Sequence, residues 1–260
     1  MTTFPTGEER EVKQHQGAAI DGAPVAYIVA LAAVVAVLAI VPLSIVVSSG
    51  KSFPMSQAIY PLVGWILGPV AGALADGIGA LVGVVLFPHT TTMPVATVLG
   101  AALGGFAAGA MMCSARRKHW TRRLGALFAA LYALYAGWAV LRNGAALYAV
   151  LLGSFIDWTA LLLFLLPTRA FFARRIGDGD LRRVAVGLFG GTWTIAGLAH
   201  LTTGLLIYLI ANWPNELWLT FAPLAPFEHL VRCGVGTVIG TGVIAGLRAT
   251  GIRAFPEARY

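Results

Sequence analysis

The feature that most constrains this chain is a succession of long apolar stretches almost free of charge. They fall at 24–47, 56–67, 69–87, 94–113, 123–141, 145–166, 184–211 and 227–247, bounded by charges, prolines or short polar loops. A helix rising ~1.5 Å per residue needs about 20 apolar residues to cross a ~30 Å hydrocarbon core. Every stretch approaches or exceeds that length except the second, which runs through Gly68-Pro69 straight into the third. A broken or re-entrant segment of that kind is tolerated where protein, not lipid, covers its backbone. With 58% hydrophobic and only 11% charged residues, and a mean hydropathy of +0.80, the chain lies far from a soluble domain with its roughly 25% charge. A soluble enzyme, a disordered tail and a secreted disulfide module are thereby excluded. The expected fold is all-α: a polytopic membrane helix bundle with about eight transmembrane helices. The expected organisation is a polar cytoplasmic N-terminal tail over 1–22, one transmembrane helical domain over 23–248 and a cytoplasmic tail over 249–260. The first apolar run, Pro24 to Val47, exceeds a signal h-region of about 7–15 residues and reads as an anchor that stays.

Lys and Arg gather on the cytoplasmic side of membrane proteins. Arg116, Arg117, Lys118, Arg122 and Arg123 stand between the fourth and fifth stretches; Arg169, Arg174, Arg175, Arg182 and Arg183 stand between the sixth and seventh. Arg10 and Lys13 precede the first stretch, and Arg248, Arg253 and Arg259 follow the last. Eight crossings with both termini cytoplasmic put all 18 basic residues on one side except Lys51, Arg142 and Arg232. The net charge of +7 is then a topology signal beside anionic lipid and not a nucleic-acid surface. The two cysteines, Cys113 and Cys233, fall at opposite ends of their stretches, so no disulfide is expected between them.

Glycine recurs at four-residue spacing inside the stretches: Gly64/Gly68, Gly79/Gly83, Gly100/Gly104, Gly105/Gly109, Gly236/Gly240 and Gly242/Gly246. Lipid tails give helices no hydrophobic reason to associate, so close contact through small residues substitutes for it. The first stretch carries alanine in the same rhythm, at Ala26/Ala30 and Ala32/Ala36, a ridge suited to docking another protein.

Ionisable residues at membrane depth are costly and mark function by default. Asp76, Asp157 and His200 lie 11 or 12 residues from the outer ends of their stretches, roughly 16–18 Å down. Asp76 shares a helical face with Gly72, Gly79 and Gly83; Asp157 shares one with Gly153 and Ser154; His200 shares one with Ala196, Thr203 and Gly204. Each is therefore expected to face the bundle. They read either as an internal polar clamp, Asp157 to His200, or as substrate- or proton-handling groups. No second His or Cys stands at ligand spacing for a metal, so no metal and no cofactor is expected. No P-loop is present, so ATP-driven work would need a partner chain, and no lysine lies within a span to carry a retinal Schiff base.

The outer loops are Ser48 to Ser56, His89 to Met93, the turn at Arg142-Asn143, and Asn212 to Pro226 with Trp213 and Trp218. The tryptophans read either as an interfacial belt or as a lid over an outward-facing pocket. Glu228, His229 and Arg232 open the last stretch, and Glu228/Arg232 is an i, i+4 pair in the favourable order. That pair either anchors the helix, or Arg232 receives an anionic group from outside. The candidate substrate-binding residues are His89, Thr91, Asp157, His200, Trp213, Trp218, Glu228 and Arg232, with Asp76 as a further intramembrane polar group.

The run from Ile59-Tyr60-Pro61 through Gly64, Gly68-Pro69, Gly72 and Asp76 to Gly77-Ile78-Gly79 and Leu86-Phe87-Pro88 resembles the substrate-binding S component of energy-coupling-factor (ECF) transporters. In that family a short second helix ends in a Gly-Pro step. A glycine-rich third helix with a central acid, a Phe-Pro loop and a small-residue fourth helix then follow, here Val98 to Gly109. The resemblance covers about 24–113, and 184–247 more weakly. It implies a vitamin- or cofactor-sized substrate near the outer face, bound around the loops at Ser48 to Ser56, His89 to Met93 and Asn212 to Pro226. It also implies a coupling transmembrane subunit docked on the Ala26/Ala30/Ala32/Ala36 ridge, and ATPase subunits. The family usually has six helices, so the hairpin at 123–166 carrying Asp157 is an insertion. The sequence reading is thus a non-enzymatic substrate-capture component of an ATP-driven uptake system in the inner (plasma) membrane. Two alternatives stand beside it: a proton- or ion-coupled transporter using Asp76, Asp157 and His200, and a structural or pigment-binding subunit with His200 or His229 as ligand.

Overall fold

The computed structural model describes residues 18–46, 51–91, 93–113 and 118–250. It is an all-α bundle. The helices are α1 (Val25–Leu38), α2 (Ser56–Leu67), α3 (Pro69–Leu86), α4 (Pro94–Met112) and α5 (Lys118–Gly137), the last continued by a π-helical turn at Trp138–Arg142. Then come α6 (Leu147–Gly153), α7 (Phe155–Leu165), α8 (Thr168–Ile176), α9 (Leu181–Ala211) and α10 (Asn215–Ala249). Each of the eight apolar stretches carries a helix. Five are long and apolar enough to cross a membrane: α3, α4, α5 with its π turn, α9 and α10. A sixth span arises if α6 and α7, bent by 71° at Ser154, count as one. The first two helices are shorter, at 14 and 12 residues. This is the build of a membrane protein.

Two small hairpins interrupt the helical pattern: β1 (Ala19–Ile20) with β2 (Ala23–Pro24), and β3 (Pro42–Val46) with β4 (Lys51–Pro54). The first apolar stretch is therefore helical only as far as Leu38. The amides of Ala39, Ile40 and Val41 reach back only three residues, to Ala36, Val37 and Leu38, a tightening turn that ends the helix. Pro42 then lacks an N–H and biases Val41 towards extended backbone, so the chain pairs with β4 instead. Most of the expected N-terminal tail and the segment 251–260 lie outside the described residues.

Glycine contacts set helix direction and spacing. A methyl added at Gly79 would lie 2.6 Å from the Ala32 carbonyl oxygen, and one at Gly83 would lie 2.6 Å from Ala39 Cβ, so α1 and α3 run together. Gly105 abuts Gly72 and Asp76 of α3, and Gly109 abuts the Gly68–Pro69 backbone at the α2–α3 break. Gly100 and Gly104 meet Thr203 and Ala199 of α9, and Gly236 and Gly240 of α10 meet Ala58 of α2 and Leu188 of α9. Gly125 and Tyr132 of α5 meet Leu165 of α7 and Ser154, and Trp193 and His200 of α9 meet Thr159 and Asp157 of α7, so the registers together send α1, α3, α5 and α9 one way and α2, α4, α6/α7 and α10 the other.

The described parts of the outer loops of the sequence reading consequently gather at one end. There β4 packs on the 3₁₀ turn at Pro88–Thr90 and β3 on α10. Asn143 Nδ2 donates to the Tyr208 hydroxyl at 2.9 Å, and the Ala146 amide donates to Asn215 Oδ1 at 2.8 Å. At the opposite end α8 closes onto α9, where Gly187 and Gly190 admit Phe172, and the Arg248 guanidinium donates to the Ile176 carbonyl at 3.3 Å. Arg183 and Arg175 flank Asp178 there. The backbone N–H of Asp180 and then these arginines hold the Asp178 carboxyl below its usual range.

Glycines used for contact and glycines left open should respond oppositely to a methyl group. Gly109→Ala drives Cβ into the Gly68–Pro69 backbone, which cannot give, and is expected to cost about 1–3 kcal/mol. Gly242→Ala, with nothing among the described residues within 4 Å of the added atom, should leave stability unchanged or slightly raised by helix propensity. Thermal melts of the two variants in the same detergent check this.

Candidate functional site

A narrow cleft opens among α2, α4, α9 and α10, with a cavity volume of about 40 Å³. Its polar wall is built from Gln57 and Tyr60 on α2, Thr97 on α4, His200 and Thr203 on α9, and Arg232 on α10. Pro61, Gly100, Ala101, Gly104, Ile195, Ala196 and Ala199 supply the apolar wall. Gln57 is the second residue of α2 and Thr97 the fourth of α4, both near the hairpin end. His200 and Arg232 lie well inside their helices. The cleft thus runs from the hairpin end towards the middle of the bundle. Ala196, His200 and Thr203 share one face of α9, as their spacing predicts, and all three line it. Pro61 leaves the Gln57 carbonyl without its helical hydrogen bond, adding an acceptor to the α2 segment.

Behind the cleft two hydrogen-bond relays fix the ionisable groups. His200 Nδ1 donates to Asp157 Oδ1 at 2.7 Å, with Asp157 fully buried and the imidazole 26% exposed. The expected Asp157–His200 clamp is therefore present. His229 Nε2 donates to the Trp193 carbonyl at 3.0 Å, which leaves Nδ1 to accept from the Arg232 guanidinium at 3.3 Å. The His229 tautomer is thus set by the backbone and in turn orients Arg232. Thr203 Oγ1 donates to the Ala199 carbonyl at 3.0 Å, and Thr91 Oγ1 lies 2.6 Å from Thr97 Oγ1. Asp76 is buried where α3 meets α4 at Gly105 and is not part of the cleft wall, and among the described residues neither carboxyl oxygen has a hydrogen-bond partner.

Of the sequence candidates, His200 and Arg232 reach the cleft. Asp157 stands behind His200, and Thr91 touches the cleft residue Thr97. His89 is exposed at the 3₁₀ turn, edge-on to Phe87. Glu228 is half-buried one turn before Arg232 and does not line the cleft. Trp213 and Trp218 lie elsewhere. The segment read as a proline-rich loop is helical from Asn215 onwards, with Pro223 and Pro226 inside α10. Trp218 is fully buried, its ring 5.2–5.4 Å from those of Tyr135, Tyr208 and Trp213, and its backbone rests on Gly153. Burial of this aromatic cluster holds the first turns of α10 in place despite two prolines. In the α1 ridge Ala32 and Ala36 are buried against α3, whereas Ala26 and Ala30 face outward. Gln57, Tyr60 and Thr97 are the site residues that sequence reasoning missed. Their signal was a hydroxyl or amide near the start of an otherwise apolar helix.

Among the described residues no group of three His, Cys, Asp or Glu side chains is placed to hold a metal ion. Comparison with known proteins returns no matching family model, no matching curated protein and no matching solved structure.

If the relay behind the cleft is a true ion pair, its halves should be interdependent. His200→Ala strands the fully buried Asp157 carboxyl and is expected to cost about 3–5 kcal/mol. Asp157→Ala combined with His200→Ala should cost less than the sum of the two single changes, because neither group is left without its partner. Denaturation midpoints of the four proteins in the cycle give the coupling directly.

Proposed function

We propose that this chain is the membrane-embedded substrate-capture component of an ATP-driven uptake transporter of the ECF type, in the plasma membrane. The observation that carries the reading is the polar cleft that runs from the hairpin end of the bundle to His200 and Arg232 at its centre. A site of this kind, mostly small and apolar with a few fixed polar groups, suits capture of a small organic molecule. The resemblance noted in the sequence adds support. A short α2 ends at Gly68–Pro69, a glycine-rich α3 carries Asp76, and a turn at Phe87-Pro88 leads into a small-residue α4.

The alternation of helix directions favours eight passes with α1 and α2 as short traverses. The arginine-rich end is then cytoplasmic, together with both termini, as the positive-inside rule requires. The hairpin end faces outward, where a substrate arrives. With no P-loop in the chain, ATP hydrolysis falls to partner subunits, and the outward-facing residues Ala26 and Ala30 of α1 offer small side chains for a coupling subunit.

A second reading is a self-sufficient proton-coupled transporter. It draws on the buried Asp76 carboxyl and the Asp157–His200 pair beside the cleft.

Affinity capture of the full chain from its own membranes in a mild detergent separates the two. The first reading expects stoichiometric co-elution of a coupling membrane subunit and an ATP-hydrolysing pair. A chain recovered alone, whose small-molecule accumulation in proteoliposomes follows an imposed pH gradient, contradicts it and favours the second.

A further inference from the structure

We infer that an anionic phospholipid occupies a groove between α4 and α5, its phosphate held by Arg123 and its acyl chain lying along α5. The proposal is independent of what the central cleft holds. The groove has a cavity volume of about 330 Å³, against about 40 Å³ for the cleft. It is lined by Phe106 of α4 and by Trp120, Arg123, Leu124 and Leu127 of α5. Residues three, four and seven apart share one helical face, so the α5 wall follows from helix period alone. The Phe106 and Trp120 rings stack across the two helices, with centroids 4.9 Å apart and planes inclined by 15°. Two ring thicknesses hold α4 and α5 apart there, and the groove is the space that remains.

The groove is charged at one end only. Trp120 and Arg123 lie in the first turns of α5, at the arginine-rich end of the bundle, where tryptophan and basic side chains meet lipid headgroups. From there the same face continues towards the middle of the bundle as Leu127, Leu131 and Leu134, with Leu127 42% and Leu134 49% exposed. Arg123 to Leu134 spans roughly 16 Å of helix, a length that an acyl chain can follow. The occupant must therefore be anionic at one end and apolar along its body. Among the described residues no carboxylate lines the groove, and the neighbouring Arg122 adds a second exposed guanidinium. Several arginines at this end are already engaged within the protein. Arg169 donates to the Phe164 and Leu165 carbonyls, Arg175 and Arg183 flank Asp178, and Arg248 donates to the Ile176 carbonyl. Arg122 and Arg123 make no hydrogen bond or ion pair among the described residues. A guanidinium presents several N–H groups in a fork that matches phosphate oxygens, and the pairing is charge-assisted. Lipid tails gain nothing by leaving other lipid for this surface, so selection falls on the headgroup. A second protein helix suits the groove less well. Close helix contact in a bilayer calls for small residues, and this face presents Trp, Arg and Leu.

The test titrates the full chain in detergent with phosphatidylglycerol and with phosphatidylcholine of the same acyl chains, read by native mass spectrometry. The first phosphatidylglycerol is expected to bind about fivefold or more tighter than its zwitterionic match. Arg123→Gln should bring the two lipids level, and Arg123→Lys, which keeps the charge but not the fork, should retain part of the preference. Leu127→Trp fills the groove without altering charge and should also abolish the preference. Arg182→Gln removes an exposed charge at the same end but outside the groove, and should leave the preference intact. Melting temperatures of the variants separate loss of recognition from loss of fold. Equal binding of the two lipids by the wild-type chain overturns the proposal. So does an effect of Arg182→Gln as large as that of Arg123→Gln, which makes the preference one of overall charge. A preference that survives Leu127→Trp places the lipid outside the groove and overturns it too. Displacement of bound phosphatidylglycerol by sn-glycerol 3-phosphate alone assigns the site to a free phosphate ester and overturns the lipid.

Discussion

Contact between helix backbones, made possible where glycine removes the side chain between them, is the interaction on which the rest of this structure depends. In a bilayer, apolar surfaces gain nothing by leaving lipid for each other, so helices associate through dispersion at close range and through polar contacts. Gly105 and Gly109 let α4 touch α3 and the α2–α3 break, and Gly79 and Gly83 admit α1. Gly197 lets α9 meet Ala160 and the Ile156 carbonyl of α7. That last contact carries His200 to Asp157. The same geometry leaves a gap where α2 is short and α4 meets α9 through Gly100 and Gly104, and this gap is the cleft.

Polar chemistry then occupies the space that close contact leaves. Asp157 and His229 carry no cleft surface of their own, yet each fixes a group that does. Burying such groups is costly unless their hydrogen bonds are met, and the relays Asp157–His200 and Trp193–His229–Arg232 meet most of that demand. Asp76 stands apart as a buried carboxyl with no hydrogen-bond partner among the described residues, at a glycine-lined contact outside the cleft wall.

Much of this was legible in the sequence, and the reasons are local. Glycine pairs and polar residues at helical spacing report which face turns inward, because helix period alone decides it, and Ala196, His200 and Thr203 fall together on that basis. The Asp157–His200 contact was legible from matching depths. What depended on tertiary context was not. Gly242 and Gly246 have the spacing of contact glycines, but among the described residues nothing lies within 4 Å of a methyl added at either. Pro223 and Pro226 argued for a loop, yet an aromatic cluster around Trp218 keeps that segment helical. The strand β3 was hidden within an apolar run whose Pro42 and β-branched residues turn it from helix to hairpin, and its partner β4 within the outer loop that follows. The α2 wall of the cleft, Gln57 and Tyr60, could not be read because nothing in the local pattern tells which neighbour a helix end will face.

Native mass spectrometry of the full chain, gently released from its own membranes, tests the central claim most directly. The account predicts an adduct of one small organic molecule in the wild-type protein that is lost in Ala196→Phe, where the cleft is filled. An adduct of equal occupancy in both proteins would contradict the assignment of the cleft as the ligand site.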